Sequence, residues 1–179
     1  MKTILCVARL ALTLLAITAV VAVALAGVNM ITAPAIAELN AQNTQAAIEA
    51  VLPGGGTEMA DFPAVDLVSK VYASDAGYAV QVTPGGFDNT ITMMVGVDKA
   101  GNVLGIDVVS HTETAGLGAV SDADTPAGIA FREQFIGAAG SVSVTKDGGQ
   151  MDAITGATIT SRAVCAGVNA ALECVAQMG

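Results

Sequence analysis

The sequence predicts an α+β domain held behind a single N-terminal transmembrane helix. Three observations predict it. An uncharged apolar run extends from Leu10 to Val28, and a block of short β-branched stretches with turn residues follows between about 71 and 110. Helical patterns in the remainder come after the strands, with no βαβ alternation. The 179 residues suit one compact domain plus an appendage. At 53% hydrophobic content the chain can build a core, which excludes disorder as its general state.

The N-terminal run comes first. Between Leu10 and Val28 only Thr13 and Thr18 are polar, and the segment reaches roughly 28 Å as a helix, close to the hydrocarbon thickness of a bilayer. Lys2 and Arg9 precede it and are the only charges before Glu38, which predicts a cytoplasmic N-terminus and an extracytoplasmic remainder. Ala24-Leu25-Ala26-Gly27 offers a site of the kind at which signal peptides are cleaved, so a signal peptide is the competing reading. The run is longer than a signal core of about 7–15 residues, which favours a retained anchor. The expected organisation is a cytoplasmic 1–9, a transmembrane helix 10–29, a helical stalk 30–56 and an extracytoplasmic domain 57–179.

Within the stalk, Ile36, Leu39, Ala46, Ala47 and Val51 form a weak helical stripe that Pro53-Gly54-Gly55-Gly56 stops. Strands are expected over 71–74, 78–82, 90–97 and 103–110. Pro84-Gly85-Gly86 supplies one turn and Asp98-Lys99-Ala100-Gly101-Asn102 a hairpin, so the sheet should be an antiparallel meander. Pro126 opens a helix to about Ile136, and 141–145 reads as a further strand. From Ser161 to Gln177, Val164, Val168, Ala171, Leu172 and Val175 give a clear helical stripe.

Composition removes several functions. Seven basic residues against 16 acidic ones give a net charge of −9, all of the acidic residues lying from Glu38 onward. No basic patch for nucleic acid can form, and with no Trp and two Tyr the chain lacks stacking platforms for bases. Of the three cysteines, Cys6 precedes the anchor. Cys165 and Cys174 sit nine apart on one helix, roughly 13 Å along its axis, too far for a disulfide. A single His and no C-x-x-C leave too few ligands for zinc or an iron–sulfur cluster, so no metal site is expected. G-x-S-x-G, Walker and G-x-G-x-x-G signatures are missing, so any chemistry would come from a bound cofactor.

Two segments stand apart. Asp152-Ala153-Ile154-Thr155-Gly156-Ala157-Thr158-Ile159-Thr160-Ser161-Arg162 concentrates four hydroxyls at the start of the last helix. Such an end attracts anions, and Gly156 and Ala157 let a ligand approach the backbone. The plainer reading is an N-cap made by Thr158 or Thr160. His111-Thr112-Glu113-Thr114-Ala115-Gly116-Leu117-Gly118 follows a strand and suggests a tight loop facing a partner. The plainer reading there is a surface loop with an exposed Glu113 and an incidental His111.

Together these segments resemble a known family. Thr155-Gly156-Ala157-Thr158-Ile159-Thr160 is similar to the [S/T]-G-A-T-x-T flavinylation motif of the FMN-binding domain family, and Glu113 to Gly118 resembles its E-T-P-G-L-G loop. Ala115 stands where Pro is common, and Thr155 where Ser is frequent. The anchor exit, Val28-Asn29-Met30-Ile31-Thr32-Ala33-Pro34, resembles the G subunits of Rnf-type ion-translocating electron-transport complexes. Those are related in turn to the C subunits of Na⁺-translocating NADH:quinone reductases.

The resemblance implies FMN joined through its phosphate to Thr160, installed from FAD by a separate magnesium-dependent flavin transferase. It places Thr155, Gly156, Ala157, Thr158, Ile159 and Ser161 around the linkage, with Arg162 adding positive charge. Glu113, Thr114, Leu117 and Gly118 would border the isoalloxazine ring. It implies no catalytic acid or base: the flavin passes electrons on the way from ferredoxin to NAD⁺, while other subunits of the complex move Na⁺ or H⁺. A stand-alone anchored FMN carrier, a component of the quinone reductase and a structural component whose Thr-rich turn is only a cap are the alternatives.

Overall fold

The computed structural model describes residues 2–178, with side chains described from 9 onward, so the side chains of Lys2 and Cys6 lie outside the described residues. The chain divides into two compact units, 1–42 and 43–179.

The first unit is helical, part of helix α1 (Lys2–Val51). Its apolar side chains are exposed, and the mean hydropathy reaches 2.5 in a window of which none is buried, so the helix is long and apolar enough to cross a membrane. Its threonines fit that setting. Thr13 donates to the Leu10 carbonyl at 2.8 Å and Thr18 to that of Leu14 at 3.0 Å, so neither hydroxyl is left unpaired in hydrocarbon. Pro34 lies inside the helix, which continues through it.

The second unit begins at Asn43. Residues 43–52, expected in the stalk, pack into it. Ala47, Ile48, Val51 and Leu52 are buried with Tyr72, Ala79 and Met94, whereas Ile36, Leu39 and Ala46 of the expected stripe are exposed. The Leu52 amide still donates to Ile48, and Gly54 and Gly55 then take φ of +88° and +71°, which turns the chain away.

A five-stranded antiparallel meander follows: β1 (Thr57–Met59), β2 (Val68–Ala73), β3 (Gly77–Val82), β4 (Thr92–Asp98) and β5 (Val103–Ser110), in that spatial order. Alternation decides which face each side chain joins. Val71, Val80, Val82, Met93, Val95 and Val97 point to the main core, while Tyr72, Ala79 and Met94 meet the end of α1 on the other face. Val103 and Ile106 share the core face despite their odd spacing because the register shifts between Gly96 and Val97. The β4–β5 hairpin is tied by Asp98, whose Oδ1 accepts from the Ala100 and Asn102 amides, each at 2.8 Å. These bonds, led by the Asn102 side chain on Oδ2, hold the Asp98 carboxyl below the usual carboxylate range.

Helix α2 (Pro126–Glu133) starts on a Thr125 cap that accepts from the Gly128 amide at 3.2 Å, and ends before the expected Ile136. The stretch 141–145 is not a strand. Its Val142 backbone is held by the Asn169 side chain, which accepts at 2.8 Å and donates at 2.9 Å, and Val144 makes only an isolated bridge to Met151. A short 3₁₀ turn over Thr145–Asp147 follows.

Helix α3 (Thr158–Met178) covers the sheet. All five residues of its predicted stripe are buried, the three valines and Leu172 each worth about 1.5–3 kcal/mol relative to exposure. Gly167 allows close approach, since a Cβ there would lie 3.0 Å from Val82 and 3.1 Å from Met93. Cys165 and Cys174 are buried and free, as expected of packing residues. Burial, aided by the charge of Asp147, pushes the Cys165 thiol up to about 11.

Candidate functional site: a cleft at the start of the last helix

Helix α3 begins at Thr158, three residues earlier than its apolar stripe suggests, so the hydroxyl-rich segment is partly turn and partly first helical turn. Gly156 sits at φ +80°, a value that disfavours side chains, and brings Ala157 round to open the helix. The first-turn amides are directed toward this end, with the positive end of the helix dipole.

The Glu113–Gly118 loop closes over that terminus. Its turn is held by the Thr114 carbonyl, which accepts from the Leu117 and Ala119 amides at 3.1 and 3.2 Å. Glu113 is 8% exposed, so the surface-loop reading of this residue is overturned. Its Oε1 accepts from the Phe87 and Asp88 amides at 2.8 and 3.3 Å, and its Oε2 accepts the Thr160 hydroxyl at 2.6 Å. His111 is not incidental either: its Nδ1 accepts the Glu113 amide at 3.1 Å. Gly118 is required by this contact, because a Cβ there would overlap Glu113 Oε2 and lie 2.7 Å from the Thr160 hydroxyl oxygen.

An open-sided cavity of about 260 Å³ lies between loop and helix. Glu113, Thr114, Leu117, Gly118, Gly156, Ala157, Thr158, Ile159 and Thr160 all line it. Two predicted residues do not. Ser161 is buried beneath, donating to the Ala157 carbonyl and accepting the Ile154 amide, both at 3.0 Å, while Thr155 lines a neighbouring cleft. The N-cap reading does not describe the threonines. Thr160 gives its hydroxyl to Glu113, and Thr158 accepts from Lys146 Nζ at 3.0 Å.

Sequence reasoning missed two lining residues, Lys146 and Phe87. Arg162, expected to supply positive charge, is instead paired with Asp147 through two bonds of 2.6 and 2.7 Å, which hold the Asp147 carboxyl below its usual range. Lys146, from the 3₁₀ turn, brings the cation to the cavity.

These residues fit FMN. A cation, a helix N-terminus and two threonine hydroxyls suit a phosphate, and Phe87, Leu117 and Ile159 give apolar walls for a flat ring. The volume falls just below the range usual for ligand cavities, about 300–1,000 Å³, which suits partial cover rather than engulfment.

Residues 86–173 match the family described as FMN-binding domain. The G subunit of the Na⁺-translocating ferredoxin:NAD⁺ oxidoreductase complex of Acetobacterium woodii is 33% identical over 92% of this chain and 89% of its own length. The G subunit of the ion-translocating oxidoreductase complex of Vibrio vulnificus is 41% identical over 52% of this chain and 46% of its own. That of Pseudomonas aeruginosa is 36% identical over 63% and 55%. An apolar helix, a five-stranded meander and a loop–helix cleft inside the matched FMN-binding region thus accompany similarity along nearly the whole chain, and the chain belongs to the family of G subunits of ion-translocating oxidoreductase complexes.

Proposed function

We propose that this chain is the electron-carrying subunit of a membrane-bound, ion-translocating ferredoxin:NAD⁺ oxidoreductase complex, and that Thr160 carries FMN through a phosphoester. One observation supports the attachment most directly. Thr160 is the last residue of the Thr-Gly-Ala-Thr-Ile-Thr segment, and it borders the cavity at the start of α3, inside the FMN-binding match. When bound, FMN supplies reversible uptake and release of electrons. The chain's own residues locate it. Lys146 and the α3 terminus neutralise the phosphodiester charge, Thr158 orients Lys146, and Phe87, Leu117 and Ile159 shield part of the ring from water. The N-terminal helix holds the subunit in the bilayer, with the FMN-binding domain on the extracytoplasmic side and the other subunits of the complex as partners.

A magnesium-dependent flavin transferase using FAD would install the group. Membranes carrying the intact chain and such a transferase should show a flavin-fluorescent band on a denaturing gel, and Thr160→Val should remove it. A band that survives Thr160→Val, or flavin that is released on denaturation, would overturn the attachment.

A further inference from the structure

We infer that Glu113 takes the proton from Thr160 when that hydroxyl is modified, and that the Gly86–Asp88 turn holds its carboxylate, and the His111 ring its backbone, for this task. The inference rests on Thr160 being the attachment residue, as proposed above.

Threonine is a weak nucleophile, and activating it takes a base within about 2.6–3.2 Å. Glu113 Oε2 lies 2.6 Å from the Thr160 oxygen. Among the described residues Glu113 is the one buried carboxylate, and no Lys, Arg or His forms an ion pair with it. A buried carboxylate without a cation is costly to keep, and a neutral acceptor would suffice if the role were only to tie loop to helix. The surroundings secure the carboxylate from behind. Two backbone amides occupy Oε1, a third bond runs from the Glu113 amide to His111, and a Cβ on Gly86 would collide with Oε1.

Access completes the arrangement. Thr160 is 1% exposed, so something must move before a phosphorus atom reaches it. Leu117 is the movable cover. The residue is 43% exposed and its side chain reaches across to Gly156, whereas Glu113 is fixed at the base of the loop. Leu117 can swing while the Glu113–Thr160 contact persists.

In the reaction, the Thr160 oxygen bonds to the flavin-side phosphorus of a flavin dinucleotide. The pyrophosphate P–O bond breaks, its electron pair leaves with the nucleoside monophosphate, and the Thr160 proton passes to Glu113. Nothing is oxidised or reduced. Proton uptake also keeps two negative charges from facing each other once the phosphodiester is in place.

The test uses the purified full chain in detergent with flavin transferase, FAD and Mg²⁺, following attachment by intact mass and peptide mapping. Glu113→Gln should lower the turnover of labelling by about 10²-fold or more. KM for the acceptor chain should stay within about twofold, and the urea midpoint should be close to that of the wild type. Glu113→Asp, which keeps the charge, should label faster than Glu113→Gln, and decides the matter if Gln lowers the midpoint. Labelling of Glu113→Gln at the wild-type rate, loss expressed only in KM, or Asp no faster than Gln would overturn the role of Glu113. A wild-type label on a residue other than Thr160, or none, would instead overturn the attachment and this inference with it.

Discussion

Thr160 and Glu113 form the tightest contact of the cleft, and their closeness depends on a residue with no side chain. Gly118 passes over both, and an added methyl would have to push the carboxylate aside. Gly118→Ala should therefore cost about 1–3 kcal/mol, typical of overpacking, seen as a lowered urea midpoint. It should also slow flavin labelling, since it separates Glu113 from Thr160. Gly156 was legible because its positive φ is a local backbone requirement, and Thr160 and Glu113 were legible through the resemblance their segments carry, whereas the bond between those two, 47 residues apart, was not. Lys146 was not legible. It reaches Thr158 only because Val144 bridges to Met151 and returns the chain to α3, and nothing local in a Thr-Lys-Asp turn signals that. Arg162 was misread for the matching reason: it looked free in the sequence, and the same turn supplies Asp147 to hold it.

Elements were more legible than contacts. The four longer strands, α2 and α3 follow from alternation, turn residues and apolar spacing, all local properties. β1 escaped notice because three residues carry no period, and it exists by pairing with β2. The stretch 141–145 has strand composition, but its backbone bonds go to Asn169 and Met151 rather than to a ladder. The seat of the α1 end on the sheet was likewise invisible, because it depends on paired glycines. Gly96 opposes Gly105 across β4 and β5, and the carbonyl of Val51 rests on Gly96. A Cβ on Gly96 would strike that carbonyl, whereas one on Gly105 would meet Val51 Cα at an ordinary 3.9 Å. Gly96→Ala should lose about 1–3 kcal/mol of stability, and Gly105→Ala should stay within about 0.5 kcal/mol, measured by urea unfolding.

At the scale of the molecule, charge and hydropathy divide the chain into an apolar helix behind Lys2 and Arg9 and a domain holding every acidic residue but Glu38. The orientation proposed from that asymmetry makes a direct prediction. In spheroplasts, with Cys6→Ser as background, a cysteine introduced as Ser141→Cys should react with a membrane-impermeant maleimide, and one introduced as Lys2→Cys should not. The reverse pattern would invert the topology. Cys165 and Cys174 should stay silent, both being buried.

The scarcity of aromatics has an optical consequence. Tyr and Trp extinguish flavin emission by giving an electron to the excited ring, and phenylalanine is too hard to oxidise to do so. The aromatic on this cleft is Phe87, 67% exposed, while Tyr72 and Tyr78 lie in β2 and β3 away from it. An oxidised flavin on Thr160 should glow in the folded protein and darken on reduction, so that native membranes would report the redox state of this carrier without any added dye.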